Sequence, residues 1–262
     1  MLKIVLNVLK VFLFVQLFFF IPLIASAEEG DLIHEIARYF PDEVGRSWRY
    51  EGSVIDEVQR VSSYKNIAVV EKVIERNGVE VRVFAETNQS NHGPARSFFS
   101  RDAEGIVYHG GEPTTRFERQ LVPYRVIEFP MRFQRPYSQI EKRNVPFGLD
   151  LDHDGKEEQA HVSAHIIAEK LETMSVPAGT FKESLKLVGT LVIRITLSGS
   201  QEVVQVTDQT SNWFALDVGL IKGIERTSFP RMEGFPGIGS LIIETLSEYS
   251  SNNKTQGLSS RQ

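Results

Sequence analysis

Leu185-Lys186-Leu187-Val188-Gly189-Thr190-Leu191-Val192-Ile193-Arg194-Ile195-Thr196-Leu197 is the longest alternating run in the chain. Leu185, Leu187, Leu191, Ile193, Ile195 and Leu197 fall on one side of an extended segment, against Lys186, Thr190, Arg194 and Thr196. Successive side chains of a strand point to opposite faces, so this period of two predicts a long strand with one buried face. Ser198-Gly199-Ser200 turns the chain, and Val204 to Thr210 returns. Upstream, Ala160, Val162, Ala164 and Ile166 alternate with His161, Ser163 and His165 in the same way. Downstream, Trp213 to Leu216, Leu220 to Thr227 and Leu241 to Tyr249 read as further strands, with the glycines at 234, 237 and 239 in the last connection.

The first half carries the same signal. Ile67 to Glu75 and Val79 to Glu86 flank Asn77-Gly78, the dipeptide that tolerates positive φ in a tight hairpin turn. Val69, Val73, Val81 and Val83 there predict a sheet with one charged, wet side. Ser97 to Ser100 and Ile106 to His109 form another expected hairpin, and Trp48, Tyr50 and Val54 open a strand after Gly45. Glu29 to Phe40, with Ile33, Ile36, Ala37 and Phe40 in helical spacing and Pro41 as its stop, predicts a short helix. Arg116 to Phe133 holds Pro123 and Pro130 and reads as irregular chain packed over the sheet, and Pro136 to Pro146 as an extended linker. Many short-spaced strands and little helix give a mainly β fold. The expected architecture is a single curved antiparallel sheet with one short N-terminal helix and irregular cover.

The chain has 262 residues, no cysteine and a formal charge of −5. Disulfides, thiol catalysis and thiolate metal sites are thereby excluded, as is lipid attachment through an N-terminal cysteine. Lys3 and Lys10 lie at the start of an apolar run from Val11 to Ile24, and Ala25-Ser26-Ala27 follows. This pattern predicts a secretory signal peptide over residues 1–27, cleaved after Ala27, with an uncleaved inner-membrane anchor as the alternative. Cleavage would remove Lys3 and Lys10 and no acid, taking the formal charge from −5 to −7. An acidic mature chain argues against nucleic acid as a partner. One β-rich domain is expected over residues 28–249, and a polar, unstructured tail over 250–262.

Asp150, Asp152, Asp154 and Glu158 stand at the first, third, fifth and ninth positions of an acidic loop containing Gly155. With the Lys156 carbonyl they could offer an all-oxygen shell to a structural Ca2+ ion. The helix–loop–helix calcium motif needs a glutamate at position twelve, where His161 stands, so the nine-residue form is the relevant one. An ordinary solvated acidic turn is the alternative. His161 and His165 on a strand are about 13 Å apart, too far for one metal. There is no Gly-x-Ser-x-Gly elbow and no glycine-rich phosphate loop followed by lysine, so no catalytic residues are assigned.

Three segments together resemble a known group. They are Tyr39-Phe-Pro-x-x-Val44-Gly45-x-Ser-Trp48-x-Tyr50, Val176-Pro-Ala-Gly-Thr-Phe181 with Leu185-Lys-Leu187, and Trp213-Phe-Ala-x-x-Val218-Gly219-Leu-Ile-Lys222. In this order they resemble secreted bacterial proteins of unknown function labelled TapB-like, themselves related to the half-barrel of the periplasmic lipoprotein carriers. The resemblance spans Tyr39 to Tyr249 and implies a curved half-barrel, secreted or periplasmic, with no catalytic residues to carry over. The expected function is a non-catalytic envelope protein whose concave face binds an apolar or lipid ligand. Phe117, Leu121, Phe129 and Phe133 are the expected ligand-binding residues, forming a lid. A structural or protein-interaction component of the envelope with a filled core is the alternative, and a hydrolase with an unrecognised site the third reading.

Overall fold

The computed structural model describes residues 31–232, 235, 237–251 and 254–256. The segment read as a signal peptide lies outside the described residues. Twelve strands follow one another around a single antiparallel sheet: β1 (Ser47–Asp56), β2 (Val61–Arg76), β3 (Val79–Glu86), β4 (Ala95–Asp102), β5 (Gly105–Glu112), β6 (Tyr124–Glu128), β7 (Tyr137–Pro146), β8 (Gln159–Val176), β9 (Gly179–Thr196), β10 (Val203–Ala215), β11 (Gly219–Phe229) and β12 (Ile238–Ser251). Their spatial order is β6-β5-β4-β3-β2-β1-β12-β11-β10-β9-β8-β7. Two meanders are thus joined by the pairing of the first and twelfth strands, and the sheet curls until β6 and β7 face each other. Side chains bridge that seam. Gln139 Nε2 donates to the Val126 carbonyl at 2.7 Å, and Lys142 Nζ to those of Gln120 and Leu121 at 2.7 and 3.0 Å. The curved antiparallel sheet is therefore as expected, wrapped further round.

The long alternation is β9, with Leu185, Leu187, Leu191, Ile193, Ile195 and Leu197 all buried. Ala160, Val162, Ala164 and Ile166 of β8 are buried beside it. The hairpin at Asn77-Gly78 forms with φ of 53° and 77°, the two positive values a two-residue turn of this kind requires.

Four expectations are corrected. The N-terminal helix is reduced, within the described residues, to a single 3-10 turn, Ile36–Tyr39. Just before it, Ile33 N donates to the Met131 carbonyl, and Phe133 N to that of Asp31. These backbone groups serve the link between β6 and β7 instead of a helix. Arg116 to Phe133 is not irregular throughout. It contains a helix, α1 (Arg116–Leu121), and the edge strand β6. Thr115 caps α1 by accepting from Glu118 N at 3.0 Å. The expected linker is strand β7. Past the twelfth strand, Lys254–Gln256 forms β13 paired to it, where an unpaired tail was expected.

Because all neighbours are antiparallel, connections alternate between the two ends of the barrel. One end carries the links β2–β3, β4–β5, β6–β7, β8–β9 and β10–β11, and the segment 31–46 runs across it. Arg38 pairs with Asp217 there, and Arg101 with Asp42 and the Phe40 carbonyl. The other end carries α1, the loop 87–94, the acidic loop and the β9–β10 turn.

The three family-like segments meet at the first end. Tyr39 donates its hydroxyl to the Glu183 carbonyl at 2.9 Å, Trp48 its indole N–H to Val218 O at 2.5 Å, and Tyr50 its hydroxyl to Leu220 O at 3.1 Å. Gly219 has φ 96°, and a Cβ there would lie 3.4 Å from the Pro41 ring and from Trp48 Nε1. Residues far apart in the chain thus meet at one corner.

Candidate functional site

Inside the barrel, between the segment 31–46 and the loop 87–94, lies a cavity of about 260 Å³. Its wall is a row of rings crossing the first meander. Trp48 and Phe84 are near-parallel with centroids 6.3 Å apart. The row continues through Phe84–Phe99 (5.4 Å), Phe99–Tyr108 (5.2 Å) and Tyr108–Tyr124 (5.5 Å). Ala68 on β2 stands in register with both Trp48 and Glu86. Its short side chain lines the cavity between the Trp48 and Glu86 positions, next to the Trp48–Phe84 pair. Phe40, Phe214 and Leu220 line the wall as well.

Beside these rings, on the same strands, the interior turns polar. Asn66, Glu86 and Glu244 line the cavity. Across the sheet, Tyr64, Gly52, Glu244, Gly223 and Asn212 stand in one register row over β2, β1, β12, β11 and β10. The two glycines in that row make it possible. A Cβ on Gly52 would fall 2.3 Å from Tyr64 Cζ, and one on Gly223 2.9 Å from Asn212 Oδ1. Tyr64 therefore lies flat over Gly52 and donates its hydroxyl to Glu244 Oε1 at 2.8 Å. Asn66 Nδ2 points to Glu86 Oε2 at 3.5 Å, and its Oδ1 accepts from Asn88 N at 3.0 Å, which ties down the loop 87–94.

Burial sets the protonation of this end. Glu86 is pushed up to about 8, mainly by desolvation and further by the Glu244 charge, against a small opposing pull from Asn66. Glu225 is raised to about 8 by burial and by Glu244. Glu244 is raised by burial, opposed by its bonds to Tyr64 and Asn66. Asp208 is raised by burial and by Glu225. Desolvation disfavours the charged form of each, and Glu86 holds its proton at neutral pH. A different carboxylate, Glu118 of α1, is buried but fully engaged. It accepts from the Tyr108 hydroxyl (2.7 Å), Gly111 N (2.9 Å) and the Thr114 hydroxyl (2.7 Å).

Phe117, Leu121, Phe129 and Phe133 do not line the cavity. Phe117 and Leu121 are buried on α1 and pack with Phe147, Phe229 and Phe235 at one end of the barrel. Phe129 and Phe133 pack with Ile33, Ile36 and Tyr39 at the other. The expected lid is divided between two ends, because β6 runs the length of the barrel between its halves. Both halves seal the barrel's ends with apolar packing.

In the acidic loop, Asp150, Asp152 and Glu158 bring ligand atoms within 4.8 Å of one another. Glu158 is fully buried and accepts from Leu151 N (3.1 Å) and Ser198 N (2.7 Å). Asp150 accepts from Gly155 N (2.9 Å) and Asp152 from Gly199 N (2.9 Å). Asp154 joins them only through its backbone N–H, which donates to Asp150 Oδ1 (3.2 Å) and Asp152 Oδ1 (3.3 Å), while its carboxylate accepts from Lys156 N at 2.9 Å. The same loop is thus a spacer that pins the β7–β8 and β9–β10 turns together. His161 pairs with Glu141 at 2.6 Å.

The cavity residues Ala68, Glu86 and Glu244 were not among the expected site residues. One signal was available: Gly52 and Gly223 interrupt strands that are otherwise well formed, and a glycine inside a strand marks a close approach.

No protein-family model matches the chain, and no curated protein matches it. Among solved structures the chain is similar to a predicted lipoprotein from Parabacteroides distasonis ATCC 8503, with 15% identity and a TM-score of 0.36 over 81% of this chain and 98% of that one. It is also similar to a predicted exported protein with YmcC-like fold from Bacteroides fragilis NCTC 9343, with 12% identity and a TM-score of 0.37 over the same shares of the two chains.

Proposed function

We propose that this is a non-catalytic binding protein of the bacterial cell envelope that holds a small, largely apolar ligand inside its barrel. The cavity behind the aromatic row carries the reading. It is concave, walled by apolar rings, and has a few polar groups converging on one side, which is the usual make-up of a small-molecule site. Its volume of about 260 Å³ lies just below the roughly 300–1,000 Å³ typical of such sites. The cargo is then one short chain or ring system, not a whole diacyl lipid. The N-terminal segment read as a signal peptide supports export, and the first and third family-like segments both supply cavity lining, Trp48 and Tyr50 from one and Phe214 and Leu220 from the other. A structural Ca2+ at Asp150, Asp152 and Glu158 belongs to the same reading, supported by their mutual approach.

The test is mass spectrometry of the protein purified from its own envelope, under native and then denaturing conditions. A non-covalent extra mass that extracts into organic solvent is the expected result. Ala68→Leu, which adds bulk to the cavity lining next to the Trp48–Phe84 pair, should remove that mass while leaving the circular dichroism unchanged. Polypeptide mass alone in the native spectrum, together with specific capture of an envelope protein, would replace this reading by the scaffold one.

A further inference from the structure

We infer that the ligand held in this cavity carries a protonated amine, seated between the Trp48–Phe84 rings and the carboxyls of Glu86 and Glu244. The inference rests on the cavity being a ligand site and adds the chemical class of its cargo.

The argument begins with the charges that face the space. Glu86 from β3 and Glu244 from β12 line it, Glu225 on β11 and Asp208 on β10 stand behind, and the Tyr50 and Tyr64 hydroxyls are donated to the Leu220 carbonyl and to Glu244. Arg101, the one cation in the lining among the described residues, is held at the segment 31–46 by Asp42 and the Phe40 carbonyl. The polar end of the cavity is therefore acidic without a counter-cation from the lining. An anionic head group there would find no lining cation to pair with and would oppose ionisation of Glu86 and Glu244 in a water-poor space. A cation would find two carboxyl groups and the faces of aromatic rings, which attract positive charge.

The register places these parts for one ligand. Trp48, Ala68 and Glu86 lie in a single cross-strand row, so the carboxyl stands beside Ala68, next to the Trp48–Phe84 pair. An alkyl or aryl body lying along the rings brings its head group to Glu86, with Glu244 across from it. Desolvation keeps Glu86 protonated at neutral pH in the free protein. When R–NH3+ enters, the carboxylic acid becomes a carboxylate, the ammonium remains protonated, and one proton passes to the buffer. Charge balances across the step.

The experiment is calorimetric titration of the exported protein at pH 7 with octylamine, 1-octanol and octanoate, in two buffers of different ionisation enthalpy. Octylamine is expected to bind at least tenfold more tightly than octanol, with octanoate weakest. Its heat should differ between buffers in the sense of proton release. Glu86→Gln and Glu244→Gln should each reduce the octylamine preference at least several-fold while octanol affinity holds, which also shows that the variants remain folded. If octanol or octanoate binds as tightly as octylamine, the amine assignment is wrong and the binding-protein reading stands. If none of the three binds, both fall.

Discussion

Gly52→Ala should be among the most destabilising single-methyl additions in this protein, and the reason can be worked from distances. Gly52 is mid-strand in β1, with no positive φ to forbid alanine. In open space the change would stabilise the strand by about 0.5–1 kcal/mol. Here the new Cβ would lie 2.3 Å from Tyr64 Cζ and 2.5 and 2.6 Å from its Cε1 and Cε2, against an ordinary carbon separation of about 3.5–4.0 Å. The ring must move by more than an ångström. It is 8% exposed, and its hydroxyl is bonded to Glu244, itself 6% exposed. Overpacking of this kind costs about 1–3 kcal/mol, and leaving the buried partner unsatisfied about 1–3 kcal/mol more. The net expectation is a loss of about 1–5 kcal/mol, a large part of the roughly 5–15 kcal/mol a domain possesses. Urea unfolding of a four-member cycle with Tyr64→Ala checks it. In the Tyr64→Ala background, Gly52→Ala should be neutral or slightly stabilising. Equal costs in both backgrounds, or a cost below about 0.5 kcal/mol in the wild type, would refute the stacked arrangement.

Stability should decline as pH rises from about 4.5 to about 8. Glu86, Glu225, Glu244 and Asp208 all have folded-state pKa values above their unfolded ones, so the native state binds more protons in that window and their contribution is full only below it. Glu86→Gln should flatten the slope in denaturant titrations between pH 5 and 8; an unchanged slope would remove Glu86 from the account. Glu118→Ala, which orphans the Tyr108 hydroxyl, Gly111 N and the Thr114 hydroxyl, should cost about 3 kcal/mol or more, read as a lowered urea midpoint. Millimolar calcium should raise the melting temperature relative to chelator through binding linkage, and Asp150→Asn should abolish the difference. Identical melting curves with calcium and with chelator would leave the acidic loop as a hydrogen-bonded spacer only.

The strands were legible because the period of two survives wherever one face is packed. The buried face of β8 from Ala160 to Ile166 and of β9 from Leu185 to Ile195 read correctly, since the barrel interior there is filled by Ala160, Val162, Leu191 and Ile193, while the halves of both strands next to their shared hairpin, 167–176 and 179–184, went unread. In the first meander the same rule pointed to the wrong face. Val81 and Val83 are buried, but they pack with Phe98 away from the cavity. The inner face of β3 carries Phe84 and Glu86, and that of β2 Tyr64, Asn66 and Ala68. A one-residue difference in phase exchanges the two faces of a strand, and apolar alternation cannot tell a wet outer face from a cavity lined with carboxyls. Helix α1 was hidden between Pro113 and Pro123, although Thr115-x-x-Glu118 spells a capping signature. Glu118 uses its side chain elsewhere, on Tyr108 and Gly111.

That failure of phase bears on function. An interior face that departs from apolar alternation at Asn66, Glu86 and Glu244 gives up hydrophobic burial at three positions of one barrel. Burying a carboxyl costs free energy unless it is paired or neutralised, and here the partners are one tyrosine, one asparagine and protons. Two glycines weaken their strands to let Tyr64 and Asn212 lie across the same row. A barrel needing only to be stable would fill these places with the leucines and isoleucines of β9. The concentration of polar groups, small residues and aromatic rings around one cavity departs from what stability alone would select, and it is what the proposed binding role requires. The converse experiment follows from it. Replacing Glu86 and Glu244 together by Leu and Met should raise the urea midpoint at pH 8, because two desolvated carboxyls are exchanged for apolar packing. The same change should eliminate the preference for octylamine over octanol. A double variant less stable than the wild type at pH 8 would show that the carboxyls are structural members of the barrel, and would count against their role as ligand contacts.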